Sequence, residues 1–378
     1  MPATAPRLLL VGGGHAHVEV LRRFRDAPQR PPPGSRVTLL SRAPTSFYSG
    51  ALPGVFEGAL PLTDAVIDVE RLARAAGVEF VAGEAVAVDA ARGSVALAGG
   101  ASLPFDLLSL DVGAVAASAG ILSPHLAIPA RPVAALVAGL HPTLAAADAG
   151  AHPPCTIVGA GVAGVELAAA LQARGCAVTL VAGAGGLLNG VGRGGRERAA
   201  GALAAAGVAV IEGDPVVELS DAGDGVVAAT TAGGARFEGS VVLATGAAPP
   251  PWLSLSGLPT DAAGFILTDA GCECAMPGGG ARVFAAGDCA VVDGARRPRA
   301  GAFAVRAGPV LAASLLAALK DEPQPPLPPT PPPAALALVS LGARTALVLR
   351  AGLPPAAGRA VWWAKRVIDK RFVDRYRV

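Results

Sequence analysis

The chain has 378 residues, with 31 Lys and Arg against 29 Asp and Glu and a formal net charge of +2; the length predicts more than one domain, and the charge balance excludes a concentrated nucleic-acid-binding face. Hydrophobic residues make up 52% of the chain but aromatics only 4%, so its cores must be built from Ala, Val and Leu. Five scattered cysteines, Cys155, Cys176, Cys272, Cys274 and Cys289, do not form the framework of a small disulfide-stapled domain, which predicts a cytoplasmic protein.

In chain order, residues 8–11 read as a buried strand rather than a signal peptide, because the apolar run is short and ends in a cluster of glycines and histidines. The following turn is Val11-Gly12-Gly13-Gly14-His15-Ala16-His17, in which Gly12 and Gly14 fill the first two slots of GxGxxG and His17 stands in the third. Such a turn lets the backbone approach a pyrophosphate at a helix N-terminus, where free N–H groups and the dipole favour anions. His15 and His17 have no third partner nearby in sequence and are read as part of this turn, not as metal ligands. Residues 37–40 form the next strand, and Ser41-Arg42 stands at its end where a ribose-binding acid would be expected. A helix is predicted over 65–76 with Gly77 as its C-cap, then short strands at 78–81, 85–88, 94–97 and 107–112. The charge-poor stretch 132–165 is broken by Pro and Gly and contains Asp148, so it is not a membrane span.

A strand at 156–158 leads into a second turn, Gly159-Ala160-Gly161-Val162-Ala163-Gly164-Val165-Glu166, with all three glycines in frame and Glu166 on the first turns of the helix. The strand at 177–181 again lacks its terminal acid and runs into Ala182-Gly183, which leaves NADH against NADPH open, with Arg193 or Arg196 able to reach a 2′-phosphate. A helix over 193–206 and a strand at 208–211 complete a second copy of the same alternation. Two copies predict an α/β chain with two doubly wound, Rossmann-type units. Residues 321–333 hold eight prolines and predict an extended connector. Residues 359–378 carry seven Lys or Arg, two Asp, and the aromatics Trp362, Trp363, Phe372 and Tyr376. A stripe of Val361, Ala364, Ile368, Phe372 and Tyr376, interrupted by Lys365, suits either an anionic membrane surface or a helix docked on the body.

Later motifs carry a family resemblance. Val283-Phe284-Ala285-Ala286-Gly287-Asp288-Cys289-Ala290 resembles the late FAD motif of two-dinucleotide-domain flavoprotein reductases, and Val241-Val242-Leu243-Ala244-Thr245-Gly246-Ala247 resembles their ATG segment. With YSGALPGVFEG at 48–58, FDLLSLDVGA at 105–114, RAGAFAVRAGPVLAASL at 299–315 and WWAKRVIDKRF at 362–372, nearly the whole chain resembles the NADH-dehydrogenase-like flavoproteins of the pyridine nucleotide-disulfide oxidoreductase superfamily. The branch is related to type II NADH:quinone oxidoreductases and is also found fused to selenide, water dikinase. The resemblance implies two three-layer Rossmann-type domains, an NAD(P)-binding domain at 119–246 inserted in an FAD-binding domain at 1–118 and 247–320. A Pro-rich connector at 321–335 and a C-terminal segment at 336–378 follow.

By the same resemblance, Gly12, Gly14, His15, Ala16, Ser41 and Arg42 face the adenosine and diphosphate of FAD. Gly287 and Asp288 hold the ribitol, and Ser49, Gly50, Ala302 and Phe303 lie near the isoalloxazine. Gly159, Gly161 and Gly164 take NADH or NADPH, with Glu166 near the nicotinamide, while Val86, Gly113 and Gly246 complete the cofactor-binding set. Arg299 and Arg306 flank the segment that approaches the flavin in the family, where a positive charge can stabilise its anionic reduced form. Disulfide reductases of the superfamily carry a Cys pair beside the flavin, whereas here no cysteine precedes Cys155; Cys272 and Cys274 read as loop residues. That leaves direct hydride transfer from NAD(P)H to flavin N5 and on to an acceptor, expected to be a quinone. The alternatives are a reductase of a small selenium or sulfur compound, or a non-catalytic nucleotide-sensing flavoprotein.

Overall fold

The structure, a computed structural model, describes residues 6–118, 120–276, 281–294, 301–325, 337–349 and 355–378. Most of the predicted Pro-rich connector, residues 326–335, therefore lies outside the described residues.

The apolar run Arg7–Val11 (β1) is buried from Leu8 onward, as expected of a parallel strand covered on both faces. It enters helix α1 (His15–Arg25), whose last turn carries Arg22, Arg23 and Arg25 at the negative end of the helix dipole. Strand β2 (Arg36–Ser41), helix α2 (Val69–Ala75), strand β3 (Glu79–Ala82) and strand β4 (Leu107–Leu110) follow, and β2, β1 and β4 pair in parallel with β1 at the centre. The helix predicted over 65–76 begins only at Val69. Val66–Asp68 instead pairs antiparallel with Thr45–Phe47, and the Asp68 carboxylate caps the helix by accepting from Arg71 N at 2.8 Å.

The chain then leaves this sheet. Helix α3 (Val133–Asp148) leads to β5 (Pro154–Val158), α4 (Val162–Ala173), β6 (Ala177–Val181), α5 (Arg193–Ala205) and β7 (Ala209–Ile211); an antiparallel extension of β8 (Val216–Gly223), β9 (Val226–Thr231) and β10 (Arg236–Leu243) follows. These strands form a second sheet in the order β7-β6-β5-β10-β9-β8, with Ile128–Pro129 pairing β10. The chain returns through β11 (Arg282–Ala285), which pairs with β4 and completes the first sheet as β11-β4-β1-β2-β3. The second Rossmann-type sheet is thus inserted in the chain of the first.

Helix α6 (Gly301–Leu319) packs on α1. A three-stranded antiparallel sheet, β12 (Ala337–Ser340), β13 (Ala346–Leu349) and β14 (Ala356–Gly358), and helix α7 (Arg359–Asp374) then close over both units. Helix α7 buries Trp362, Lys365, Asp369, Phe372 and Val373, with Tyr376 buried just beyond it, and leaves Ala364 and Ile368 exposed. The inward face therefore differs from the predicted stripe: Lys365 and Asp369 point in, paired with each other, and two of the five stripe residues point out. Among the described residues, no helix is long and apolar enough to cross a membrane.

Candidate active site

The first glycine turn is built from the ends of three strands. Gly12 N donates to Leu40 O at 2.8 Å and Asp111 N to Val11 O at 2.9 Å. Gly12 has φ +98°, and a Cβ there would run into the Asp111 carbonyl, so a side chain is excluded twice over. Gly14 caps α1, and the first-turn amides of Ala16 and His17 donate to Asp111 Oδ2 at 2.8 and 3.1 Å. His17 is fully buried; its Nδ1 meets Gly12 O at 2.7 Å and its Nε2 meets Ser109 Oγ at 2.8 Å. The imidazole thus ties together the turn that a third glycine would close by contact. Burial drives its pKa down to about 4, so it is neutral at pH 7.

Ser41 is buried beside the turn, where a Cβ on Gly13 would lie 3.1 Å from its Oγ, and its hydroxyl donates to Ala43 O at 3.0 Å. Arg42 lies at the surface against Glu84, 3.3 Å away, and Val86 is also exposed. On the late motif, a Cβ on Gly287 would clash with Asp111 Oδ1, and Asp288 pairs with Arg131. Arg131, which precedes the helix-capping Pro132 of α3, escaped the sequence reading because nothing local distinguishes it from any other arginine. Gly287, Asp288 and Phe303 line one small cavity under α6. Ala302 belongs to α6, whereas Arg299 lies outside the described residues.

The second turn repeats the first with smaller side chains. Gly159 N donates to Val181 O and Ala244 N to Val158 O, both at 2.8 Å. Gly159 has φ +108°, and a Cβ there would sit 2.5 Å from Ala244 O. A Cβ on Gly164 would collide with Gly159 O, while one on Gly161, the N-cap of α4, would meet nothing within 4 Å. Gly113 and Gly246 occupy matching bends after β4 and β10, both open in the same sense. Ala182 is buried at the end of β6. A carboxylate reaches the following loop from the neighbouring strand instead: Glu212, just past β7, accepts from Leu187 N at 2.6 Å. Glu212 was invisible in sequence because it lies some thirty positions from the fingerprint acid slot. Arg193 is drawn to Glu197 at 2.6 Å, and Arg196 is exposed.

Between the two units lies a buried polar cluster. Lys365 Nζ donates to Asp369 Oδ2 at 2.8 Å and to Gly50 O, and Tyr48 OH donates to Asp369 Oδ1 at 3.1 Å. Glu166 Oε1 accepts from Ser340 N at 2.8 Å, and burial raises its pKa to about 7 although the Lys365 charge opposes the rise. Burial also raises Asp369, against the pull of Lys365. The Tyr48 and Phe372 rings stack at 4.2 Å, and His15 meets both edge-on at 5.7 and 5.8 Å. His15 Nε2 is buried without a partner among the described residues, and burial lowers its pKa to about 4. A Cβ on Gly301 would lie 3.4 Å from Ser49 Oγ and 3.7 Å from His15 Nδ1, so α6 begins at the same spot. The fold thus brings His15, Ser49, Gly50 and Glu166 to one junction and adds Tyr48, Lys365 and Asp369. The signal for the last two was their i,i+4 spacing on a helix, which reads equally well as a surface pair.

A family profile described as pyridine nucleotide-disulphide oxidoreductase matches residues 6–308. No curated protein sequence matches the chain. Among solved structures, the chain is similar to a NAD-dependent persulfide reductase from A. fulgidus, with 20% identity over 90% of this chain and 63% of that one and a TM-score of 0.72. The chain therefore spans less than two thirds of the persulfide reductase. A sulfide:quinone oxidoreductase from Aquifex aeolicus is similar over 99% of this chain and 92% of that one, with 16% identity and a TM-score of 0.75. A water-forming NADH oxidase from Lactobacillus brevis is similar over 91% and 74% of the respective chains, with 19% identity and a TM-score of 0.72.

Proposed function

Because the chain belongs to the pyridine nucleotide-disulphide oxidoreductase family, we propose that it is an FAD-dependent NAD(P)H oxidoreductase that passes electrons from NAD(P)H through FAD to a quinone with no cysteine relay. Bound FAD supplies the hydride acceptor at N5 and the onward electron transfer. The first turn fits that cofactor: its backbone is bare of side chains from Gly12 to Gly14 and opens onto the N-terminus of α1. Gly12, Gly14, His15, Ala16, Ser41 and Arg42 would hold its adenosine diphosphate part, Asp288 with Arg131 its ribitol, and Ser49, Gly50 and Phe303 its ring side. Gly159, Gly161 and Gly164 would hold the nicotinamide dinucleotide.

The state of the thiols carries this reading. All five cysteines are buried, and burial pushes the Cys155, Cys274 and Cys289 thiols up to about 12. A thiolate is the nucleophile in any disulfide relay, and these groups stay protonated at pH 7. Quinone reduction consumes protons. Glu166, with a pKa near neutrality and Lys365 beside it, can hold one at its carboxylate close to the junction. A bilayer as the quinone source is supported by the outward face of α7. Trp363, Val367 and Ile368 are exposed there, with the Arg366 guanidinium over the Trp362 and Trp363 rings at 4.9 and 5.5 Å.

Anaerobic stopped-flow absorbance on the purified holoprotein tests the proposal. NADH or NADPH should bleach the flavin, and a soluble quinone should restore its colour faster than selenite or polysulfide does. A flavin that neither nucleotide reduces overturns the enzyme reading, and faster reoxidation by polysulfide or selenite overturns the quinone.

A further inference from the structure

The two glycine turns differ most where β4 and β10 end, at Asp111 and Ala244. Both residues hold the same backbone bonds to the preceding central strand, and both carbonyls face the first glycine of their turn. Ala244 brings only a methyl group to this position. Asp111 brings a carboxylate, 3% exposed, that fills the space under Gly14 and Gly287 and takes the amides of Ala16 and His17. Those amides belong to the helix turn on which a dinucleotide diphosphate draws.

We propose that Asp111 is a working part of the FAD diphosphate site as a neutral carboxylic acid, and that seating the diphosphate is coupled to uptake of one proton at Asp111. The proposal rests on the assignment of FAD to the first unit. An ionised carboxylate beneath the turn repels the diphosphate and competes with it for the helix field, whereas the protonated group does neither and gains an O–H donor. Beyond the two amides, the side chains facing Asp111 among the described residues bring it no compensating positive charge. From α1 comes His17, neutral at pH 7 with its pKa lowered to about 4. The late turn contributes Asp288, engaged by Arg131, and the Cys289 thiol, held protonated at about 12; β4 contributes Ser109, bound to His17. Burial accordingly lifts Asp111 to about 7 even though two amides pull the other way.

FAD release from the holoprotein, followed by flavin fluorescence on dilution from about pH 5.5 to about 8.5, gives the affinity as a function of pH. One coupled proton weakens binding roughly tenfold per pH unit above the Asp111 titration. Asp111→Asn should bind FAD with little pH dependence and more tightly than the parent at the alkaline end, and Asp111→Ala, the arrangement already present at Ala244, should be equally flat. Calorimetry of FAD binding in two buffers of different ionisation enthalpy should show uptake approaching one proton for the parent near pH 8 and none for either variant. A flat parent profile, or a slope that survives in both variants, overturns the proposal while FAD still binds. No FAD binding by the parent at any pH overturns the flavin assignment itself.

Discussion

Gly161 and Gly164 stand three residues apart in one turn, yet an added methyl meets open space at the first and the Gly159 carbonyl at the second. Gly164→Ala should therefore cost about 1–3 kcal/mol through forced backbone shifts, read as a fall in Tm. Gly161→Ala should leave Tm within a degree or two and weaken NAD(P)H about tenfold or more, because its methyl projects where the dinucleotide would approach. Equal Tm losses for the two variants would refute that division of labour. Glu166→Gln keeps the shape of the buried cluster but removes the ionisable proton. Turnover with quinone should drop about ten- to a hundredfold and lose its pH dependence near neutrality, a change that a purely structural glutamate would not produce.

Among the elements, α7 shows where sequence pattern stops being informative. Its helical period and basic character were plain, but which face turned inward depended on Tyr48, Gly50 and Glu19, more than 300 residues away. The glycine turns were legible because their chemistry is local. The strand at Val66–Asp68 was not, because its partner at Thr45–Phe47 and the Asp68 cap had to be known together. The outward face of α7 makes a separate prediction: Trp363→Glu with Ile368→Glu should abolish co-sedimentation with anionic liposomes while Tm holds, since neither side chain is buried. Unchanged partition would rule out this face as the contact. A ribose-discriminating role for Glu212, at the end of β7, predicts that Glu212→Gln shifts preference towards NADPH by about tenfold; comparing flavin reduction by both nucleotides tests it.

For the whole molecule, buried titratable groups oppose one another. His15 and His17, lowered from 6.5 to about 4, bind fewer protons folded than unfolded, so their contribution to stability grows as pH rises from about 4 and is complete above 6.5. Asp111 and Glu166, raised from 3.8 and 4.5 to about 7, bind more protons folded, so their contribution falls with rising pH until about 7. The Tm should therefore change little through the mildly acidic range and decline between 6.5 and about 7, and Asp111→Asn should shrink that decline. Tyr376 donates to Glu19 across 357 positions of chain, at 3.0 Å, whereas each glycine turn begins within a single strand–turn–helix segment. Contacts that close the longest loops form late, so during folding the two glycine turns should begin to take shape before Lys365 and Asp369 arrive, and the junction between the units should be the last part to be completed.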